Sequence, residues 1–540
     1  MHRSKRLPLA AATVVGCTLA FAGAAGAFPA LPGVSPAQPK AAGVPAPTLL
    51  SPGLAQIEIT RGSEALDGGT SAVPYYGYDG DGPLLPAPGD LPTASHTVEA
   101  TKTEPDKNTY LVLKGQTGPD QSYDYGTHFL FQGHEHSSPG YITRINLDAD
   151  AAHRVTLMAT QDVKGNDLAN IDGSTWDPFA KRLIFTTESS SAGEYQATAG
   201  YPSRVRDISG YIGRGGYEGV QNDSAGNLWF VEDVGGAKGT VNSHAKQPNS
   251  FLYRYTPADP YHLTAGGVLQ ALQVMSRRTA TPIVFHSGAA DADILSNDTR
   301  DLRTYGLTFK TRWVTIHDTA VDGTTPFDAN SLAKAAGATP FKRPENGVFR
   351  PGTDFRQFVF DETGDTDINT EAGSQDGGFG SLFRLNQANP SANTGSLNLL
   401  YRGDATHAAF DNLAFADNHN LIVVEDAGDT LHSQRNGFDS MWQLNAAAGY
   451  GNPATPAPVR LLAQGRDPSA TLDSAFLGMT GFQNDGDNEI TGIHISDGDA
   501  SVSGILGVKT PRPLVAGSAW RTFYTAQHGD NVTYELILHR

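Results

Sequence analysis

The stretch EGVQNDSAGNLWFVED, residues 218–233, contains the features that decide the fold. An acidic residue opens it, an Asp/Gly/Asn turn follows, and a short apolar run ends in two acids. Residues 411–426, DNLAFADNHNLIVVED, repeat this order in the same register. Two β-prone runs on either side of such a turn are typical of a β-hairpin. The pattern therefore predicts one hairpin that recurs along the chain.

Looser copies extend the repeat to residues 172–188, 345–362 and 489–499. The opening acids of successive copies lie 46, 127, 66 and 78 residues apart, so insertions separate them, the largest between Tyr253 and Phe341. A recurring hairpin of this kind is typical of β-propeller blades. We therefore predict an all-β chain folded as a β-propeller with long inter-blade insertions. A β-sandwich or barrel is the alternative, but it gives no reason for acids to recur at one position.

The opening acids of the copies carry the chemical prediction. Equivalent positions of successive blades surround one axis, so these carboxylates would share a central opening. Carboxylates in one cleft repel each other, and hard cations such as Ca²⁺, Mg²⁺ or Mn²⁺ remove that cost. The alternative is that each acid only caps a turn, which suffices for one copy but not for five in register. The acids are Asp172, Glu218, Glu345, Asp411 and Glu489.

The composition excludes several classes of protein. The chain has 540 residues, 60 Gly, 33 Pro, only 18% charged residues and a formal net charge of -18. This content of Gly and Pro argues against a coiled coil or a long helical bundle. The acidic balance argues against a nucleic-acid partner, which needs a basic surface. One helix is predicted, from Asp328 as its N-cap to Ala336.

The N-terminal region is predicted to lie outside the catalytic domain. Residues 1–27 combine a basic start, an apolar run and the small-residue site Ala25-Gly-Ala27, as in a secretory signal. Cys17, the only cysteine, lies within this run, so a lipoprotein anchor is less favoured than cleavage after Ala27. Residues 28–94 are predicted as a Pro/Gly-rich linker or arm, and residues 95–540 as the propeller. No later stretch is apolar enough for stable membrane insertion, so we expect a secreted protein, extracellular or periplasmic.

Several segments resemble one known family. Residues 336–346, AGATPFKRPEN, are similar to the most recognisable segment of the PhoX-type alkaline phosphatases. Weaker matches occur in the right order at residues 140–146, 217–219, 488–492 and 526–529. The resemblance implies a secreted bacterial phosphomonoesterase with a six-bladed β-propeller fold. It also implies calcium and iron ions held by carboxylates at the propeller centre, beside an arginine that contacts phosphate.

The resemblance assigns roles to individual residues. Arg343 matches the phosphate-binding arginine, and Glu345, Glu218 and Glu188 match metal-binding glutamates, with Glu489 as a fifth ligand. The chain departs from the family where an iron-ligating cysteine is expected, near residues 170–176, because no cysteine is present there. Asp172 is the oxygen ligand available instead, which favours a site of several calcium ions over an iron centre. The twin-arginine export signal is also absent, since residues 3–6 read RSKR.

Other catalytic motifs are weaker. His134-Glu135-His136 could bind zinc, but a His-x-His pair is common by chance. No Gly-x-Ser-x-Gly motif of a serine hydrolase is present. The sequence therefore predicts a metal-dependent phosphoric monoester hydrolase that acts as a monomer on small phosphorylated substrates, and bound cations are required because the chain is acidic. The alternatives are a non-catalytic, calcium-stabilised propeller for ligand binding or adhesion, and a propeller hydrolase of other esters, such as a phytase or lactonase.

Overall fold

The computed structural model describes residues 28–36, 48–79, 102–136, 139–241, 243–370, 373–464, 489–515, 517–527 and 531–539. The predicted signal segment, with Cys17, lies outside these ranges, as do parts of the predicted linker. Secretion and lipoprotein anchoring therefore stay predictions.

The described residues form strands, with few and short helices. The strands are β1 (Leu49–Leu50), β2 (Leu54–Thr60), β3 (Glu104–Pro105), β4 (Thr109–Val112), β5 (His128–Glu135), β6 (Tyr141–Asn146), β7 (Val155–Ala159), β8 (Ser174–Asp177), β9 (Arg182–Phe185), β10 (Tyr195–Ala197), β11 (Val205–Asp207), β12 (Tyr217–Asn222), β13 (Leu228–Glu232), β14 (Leu252–Pro257), β15 (Gly267–Val274), β16 (Phe309–Asp318), β17 (Gly347–Phe349), β18 (Gln357–Glu362), β19 (Ser381–Gln387), β20 (Thr394–Arg402), β21 (Phe410–Phe415), β22 (Asn420–Glu425), β23 (Ser440–Asn445), β24 (Val459–Ala463), β25 (Glu489–Ser496), β26 (Arg521–Gln527) and β27 (Val532–Leu538). The α-helices are α1 (Ser209–Ile212), α2 (Ala290–Ile294), α3 (Asn297–Leu302), α4 (Thr319–Asp322), α5 (Ala329–Ala335) and α6 (Gly428–Arg435). Short 3₁₀ helices span Ala151–His153, Leu263–Ala265, Ser374–Asp376 and Val502–Gly504.

The strands pair into five sheets. Their orders are β1-β24-β23-β22-β21, β11-β10-β9-β8, β2-β27-β26-β25, β3-β5-β6-β7 with β4 also on β5, and β12-β13-β14-β15-β16-β20-β19-β18-β17. Strands that follow each other in the chain are mostly antiparallel neighbours, as in successive propeller blades. This confirms the prediction of an all-β, propeller-like fold. The number of six blades stays a prediction, because β16 joins two four-stranded arrays into one sheet of nine.

Six strands contact one another in a closed order around a common axis. β4 contacts β8, β8 contacts β12, β12 contacts β17, β17 contacts β21, β21 contacts β25, and β25 contacts β4. These axial strands therefore form a closed ring of contacts. Five of them begin near the opening acids of the sequence repeat, and β4 begins near Asp106.

Part of the predicted linker is a strand of this assembly. β2 pairs with the C-terminal β27, in register from Leu54 opposite Leu538 to Thr60 opposite Thr533. Residues 28–94 were predicted as a linker because of their Pro/Gly content, although they contain a β-prone run with Ile57, Ile59 and Thr60. A strand from the N-terminal part of the chain thus lies in one sheet with the last strand.

The largest insertion begins after β15, at residue 275, rather than at Tyr253, which lies in β14. It contains β16 and helices α2–α5. Trp313 of β16 packs on Trp229 of β13. The Trp229 ring lies 5.1 Å from the rings of both Trp313 and Phe349. The predicted helix is present as α5, and the Asp328 carboxylate caps it by accepting a hydrogen bond from Ser331 N. Within the described ranges, no helix is both long and apolar enough to cross a lipid bilayer.

Candidate metal centre

A cavity of about 100 Å³ lies at one end of the axis, and acidic side chains line almost all of it. Ten carboxylates and one guanidinium surround a space large enough for several ions or waters. The lining residues are Asp106, Glu135, Asp172, Glu188, Glu218, Asp233, Arg343, Glu345, Asp411, Asp426 and Glu489. The structure therefore brings together the acids of different sheets at one point.

Hairpin geometry explains which positions reach the cavity. In an antiparallel pair, the start of the first strand lies beside the end of the second. Glu218 lies at the start of β12 and Asp233 directly follows β13, while Asp411 and Asp426 hold the same places around β21 and β22. The acid at each end of the repeated sequence pattern therefore lies at the same edge of its hairpin.

β-Bulges turn two of these acids toward the axis. The register of β12 on β13 shifts between Tyr217 and Val220, which flank Glu218. β21 has the corresponding shift on β22 around Asp411. A bulge bends a strand and re-aims a side chain, and bulges are common next to functional sites. The bulge thus orients one carboxylate in each of these two hairpins.

Glycines let the axial strands approach closely enough for the acids to meet. Gly173 follows Asp172, and a Cβ atom there would lie 1.6 Å from the Glu218 carbonyl oxygen. Gly219 follows Glu218, and a Cβ atom there would lie 2.8 Å from the Glu345 carbonyl oxygen. Each acid–glycine pair therefore contacts the acid of the next sheet along the ring.

Burial and mutual repulsion raise the pKa values of these carboxyl groups. For Glu218, burial raises the pKa well above its usual range, and the charges of Glu345 and Asp172 raise it further. Burial, and then the charge of Asp233, raises the pKa of Glu188 to about 8, although the Glu188 side chain is exposed at the cavity mouth. Solvent screens the Glu188 charge at this exposed position. The buried acids are costly to ionise unless positive charge is bound among them.

The donor set fits hard cations. Three trios of carboxylates each offer oxygen atoms within 4.8 Å of one another, and Asp172 and Glu218 each belong to two trios. Asp411 Oδ2 is also buried without a hydrogen-bond donor among the described residues. Oxygen-only ligands suit Ca²⁺, Mg²⁺ or Mn²⁺ and not the thiolate-preferring metals. The trios are Asp106/Glu135/Asp172, Asp172/Glu188/Glu218 and Glu218/Asp233/Glu345.

Arg343 is the guanidinium of the cavity. Its Nε atom donates to Asp233 Oδ1 at 2.8 Å, and its Nη2 atom donates to Asp233 Oδ2 at 2.7 Å and to Glu345 Oε1 at 3.1 Å. Nη1 has no hydrogen-bond partner in the described part of the chain, and the side chain is 19% exposed. Asp233 thus fixes one edge of the guanidinium, and the other edge is available to an anion.

A hydrogen-bonded network that contains a buried lysine lies behind the cavity wall. Lys107 Nζ donates to Asn412 Oδ1 at 2.6 Å, and Asn412 Nδ2 donates to Asp411 and, at 3.2 Å, to Thr491 Oγ1. Thr491 Oγ1 donates to Asp106 Oδ1 at 2.6 Å. Burial lowers the pKa of Lys107, while the charges of Asp106 and Asp411 oppose that shift. The network connects the cavity acids Asp106 and Asp411 through Thr491 and Asn412.

The structure brings together every site residue predicted from the sequence. Arg343 and the five acids Asp172, Glu188, Glu218, Glu345 and Glu489 all line the cavity. Their roles as metal ligands and phosphate contact stay predictions. The sequence prediction missed Asp106, Glu135, Asp233 and Asp426, and it used Asp411 only as a member of the repeat.

The discarded zinc motif contains one of the missed residues. Glu135 ends β5 and lines the cavity, whereas His134 is buried and hydrogen-bonds to Thr103 O and Thr143 Oγ1. Burial lowers the pKa of His134 to about 3, so this imidazole is neutral. The useful signal was the acid at the end of a second strand, not the flanking histidines.

Comparison with known proteins gives one matching family profile and several similar solved structures. The profile of the family described as Alkaline phosphatase PhoX matches residues 236–505, which include Arg343, Glu345 and Glu489. Curated protein sequences gave no significant match. The solved structure of Pseudomonas fluorescens PhoX, in complex with the transition-state analogue vanadate, matches 95% of this chain and 98% of that chain. The TM-score is 0.51 at 11% identity, so this likeness supports the fold alone.

Two further solved structures match less well. Sqt1 from Chaetomium thermophilum matches 81% of this chain and 100% of that chain, with a TM-score of 0.29 and 11% identity. The periplasmic gluconolactonase PpgL of Pseudomonas aeruginosa matches 75% and 97%, with a TM-score of 0.27 and 13% identity. Both TM-scores are too low to support a shared fold. Because the family profile covers half of the sequence, the chain belongs to the PhoX alkaline phosphatase family.

Proposed function

We propose that this protein is a metal-dependent phosphoric monoester hydrolase whose metals are held by carboxylates at the propeller axis. The observation that carries the proposal is the lining of one cavity by ten carboxylates and Arg343. So many acids around about 100 Å³ require bound positive charge, and an arginine beside them suits a phosphate. Family membership supports the same reaction class.

Glu218, Glu345, Asp172, Glu188 and Glu489 would hold the metals. Bound metal ions would supply Lewis acidity and positive charge to the oxygens of a phosphoryl group. The chain itself supplies the rigid arrangement of ligands, since bulges and close glycine contacts fix the carboxylates before any ion binds. We propose several Ca²⁺ ions rather than an iron centre with a cysteine ligand, because residues 28–540 contain no cysteine.

Arg343 would bind the non-bridging oxygens of the substrate phosphoryl group. Its free edge carries Nη1, and the contacts with Asp233 and Glu345 hold the other edge. A planar guanidinium offers two parallel donors to phosphate, which a lysine cannot. Asp233 is therefore a positioning residue for Arg343 in this proposal.

The remaining parts of the proposal concern the whole molecule. We infer six blades from the closed ring of axial strands, with the nine-stranded sheet counted as two blades linked through β16. Secretion is proposed from the N-terminal sequence and a monomeric state from the complete ring. The substrate would be a small phosphate monoester.

The test is hydrolysis of p-nitrophenyl phosphate at alkaline pH by the protein as purified, after chelation, and after Ca²⁺ is restored. We expect activity that is lost on chelation and returns with Ca²⁺. Glu345→Gln should abolish activity and lower the bound metal, while Asp354→Asn, at a side chain 88% exposed, should change neither. If no condition gives activity although Ca²⁺ raises the Tm, the protein is a non-catalytic calcium-stabilised propeller. Full activity in Glu345→Gln would overturn the site assignment.

A further inference from the structure

Two short chain segments beside the cavity mouth form an antiparallel pair, in which two lysines lie opposite each other. Gly239 N donates to Ala245 O at 3.0 Å, and Gln247 N donates to Ala237 O at 2.8 Å. Lys238 lies directly opposite Lys246 in this antiparallel pairing. We call residues 237–239 and 245–247 the lysine arms.

The lysine arms are fixed beside Arg343. Lys246 N donates to Asp365 Oδ1 at 3.0 Å, and the same carboxylate accepts hydrogen bonds from the buried Lys342 Nζ at 2.9 and 3.0 Å. Lys342 directly precedes Arg343 in the chain. On the other side, Asp233, the partner of Arg343, lies only a few residues before the first arm. The arms therefore start and end next to the residues that position the guanidinium.

The outer end of the first arm is also held. Thr240 N donates to Asp291 Oδ1 at 2.9 Å, and Val241 N donates to the same atom at 3.2 Å. Asp291 belongs to α2 in the large insertion. The backbone of the arms is thus anchored at both ends, which fixes the places from which the two lysine side chains extend.

The carboxylates whose charge acts on Lys246, Asp365 and Asp233, are already paired with Lys342 and Arg343. Neither lysine ammonium group of the arms makes an ion pair or a hydrogen bond in the described part of the chain, although the protein has a net charge of -18. Burial and the positive charge of Arg343 lower the pKa of Lys246, while the charges of Asp365 and Asp233 oppose that shift. Like charges directly opposite each other across a strand pair are destabilising. Three cations grouped on one side of an acidic cavity indicate an anionic ligand.

This position lies outside the cavity that would hold the transferred phosphoryl group. Lys246 is half-buried and is absent from the cavity lining, and Lys238 is exposed. A ligand bound at Arg343 would meet these lysines only with a part that projects from the cavity. In a phosphate monoester, that part is the alcohol.

We propose that Lys246, assisted by Lys238, binds a second anionic group on the alcohol portion of the substrate. The enzyme would then prefer phosphate monoesters whose alcohol carries a carboxylate or a further phosphate. This inference rests on the proposed phosphatase function and names its substrate class. Lys246 is a specificity-determining residue in this scheme, and the hydrolytic step does not depend on it.

The test compares phenyl phosphate with 4-carboxyphenyl phosphate, using the calcium-loaded full chain and its Lys246→Met variant. The ratio of kcat/KM for the two esters, compared between proteins, cancels the intrinsic reactivity of the leaving groups. We expect Lys246→Met to lower the preference for the carboxylate ester about tenfold, the effect of one charge-assisted contact, with phenyl phosphate unaffected. Lys246→Arg should retain the preference. Lys114→Met, at an exposed lysine after β4, is the matched control.

The outcomes separate this inference from the proposed function. An unchanged ratio in Lys246→Met, or an equal loss for both esters, would overturn the inference while leaving the phosphatase intact. A preference in the wild-type protein that weakens at high salt would support it further. Hydrolysis of neither ester by any variant would instead refute the proposed function.

Discussion

Replacement of Arg343 by lysine tests the central assignment, because it keeps the charge and removes only the planar donor set. Arg343 makes three contacts with Asp233, two from Nε at 2.8 and 3.0 Å and one from Nη2 at 2.7 Å. A lysine ammonium placed there can keep one good contact with Asp233 and cannot offer a second, parallel edge to phosphate.

The size of the effect follows from these contacts. A hydrogen bond to a charged group contributes roughly 1.5–3 kcal/mol, so loss of two such contacts removes about 3 kcal/mol or more of positioning energy. The guanidinium is 19% and Asp233 only 6% exposed, so solvent screens the pair weakly. A loss of about 3 kcal/mol in transition-state binding corresponds to roughly a 10²-fold fall in kcat/KM.

The assay is the steady-state hydrolysis of p-nitrophenyl phosphate with Ca²⁺ present, together with the metal content and the Tm. We expect Arg343→Lys to lower kcat/KM about 10²-fold, with bound metal unchanged. Arg356→Lys, at a side chain 56% exposed, is the matched control. A fall of less than about threefold in Arg343→Lys would refute the reasoning, as would a loss of activity explained by a parallel loss of metal.

Three further predictions concern the metal, the pH and the packing at the axis. Chelation should lower the Tm, and Ca²⁺ at about 100 times its Kd should restore about 2.7 kcal/mol of unfolding free energy by binding only the folded chain. In the metal-free protein, burial raises the pKa of Glu218 well above its unfolded value. The unfolding free energy that this group contributes should therefore be greatest below about pH 4.5 and fall as the pH rises above that value; denaturant titrations at pH 5, 7 and 9 that show a rise would contradict this. Gly173→Ala should cost about 3 kcal/mol in denaturant unfolding, because its Cβ would lie 1.6 Å from a carbonyl oxygen, whereas Gly200→Ala, with no atom within 4 Å, should cost little.

The sequence predicts the fold because the same local solution recurs. Each copy of the hairpin contains its own turn, its own β-prone runs and an acid at a fixed place, so one reading applies to all. The N-terminal strand was missed for the opposite reason. β2 has no hairpin partner nearby in sequence, and its pairing with β27 spans almost the whole chain.

The sequence repeat predicted site residues only at strand starts, where a single acid is present. It did not predict them at the strand ends where two acids are adjacent. The acids that open five of the six axial strands were found, but the pairs Glu232-Asp233 and Glu425-Asp426 left open which member faces the axis. Glu232 turns into the blade and accepts hydrogen bonds from Phe251 N, Tyr253 Oη and Asn330 Nδ2. Side chains alternate along a strand, so a shift of one residue exchanges the two faces. Sequence alone does not fix that parity at the end of a strand.

The same geometry explains how the folded chain tolerates so many like charges. The carboxylates repel one another across the ring of axial strands, which the contact between β25 and β4 completes. Strand closure and charge at the axis therefore oppose each other. Arg343 and the buried Lys107 offset part of the repulsion from inside the chain, since both lie among the acids. The remaining excess of negative charge must be offset by bound cations or by protons, which connects metal binding, pH and closure of the fold in one equilibrium.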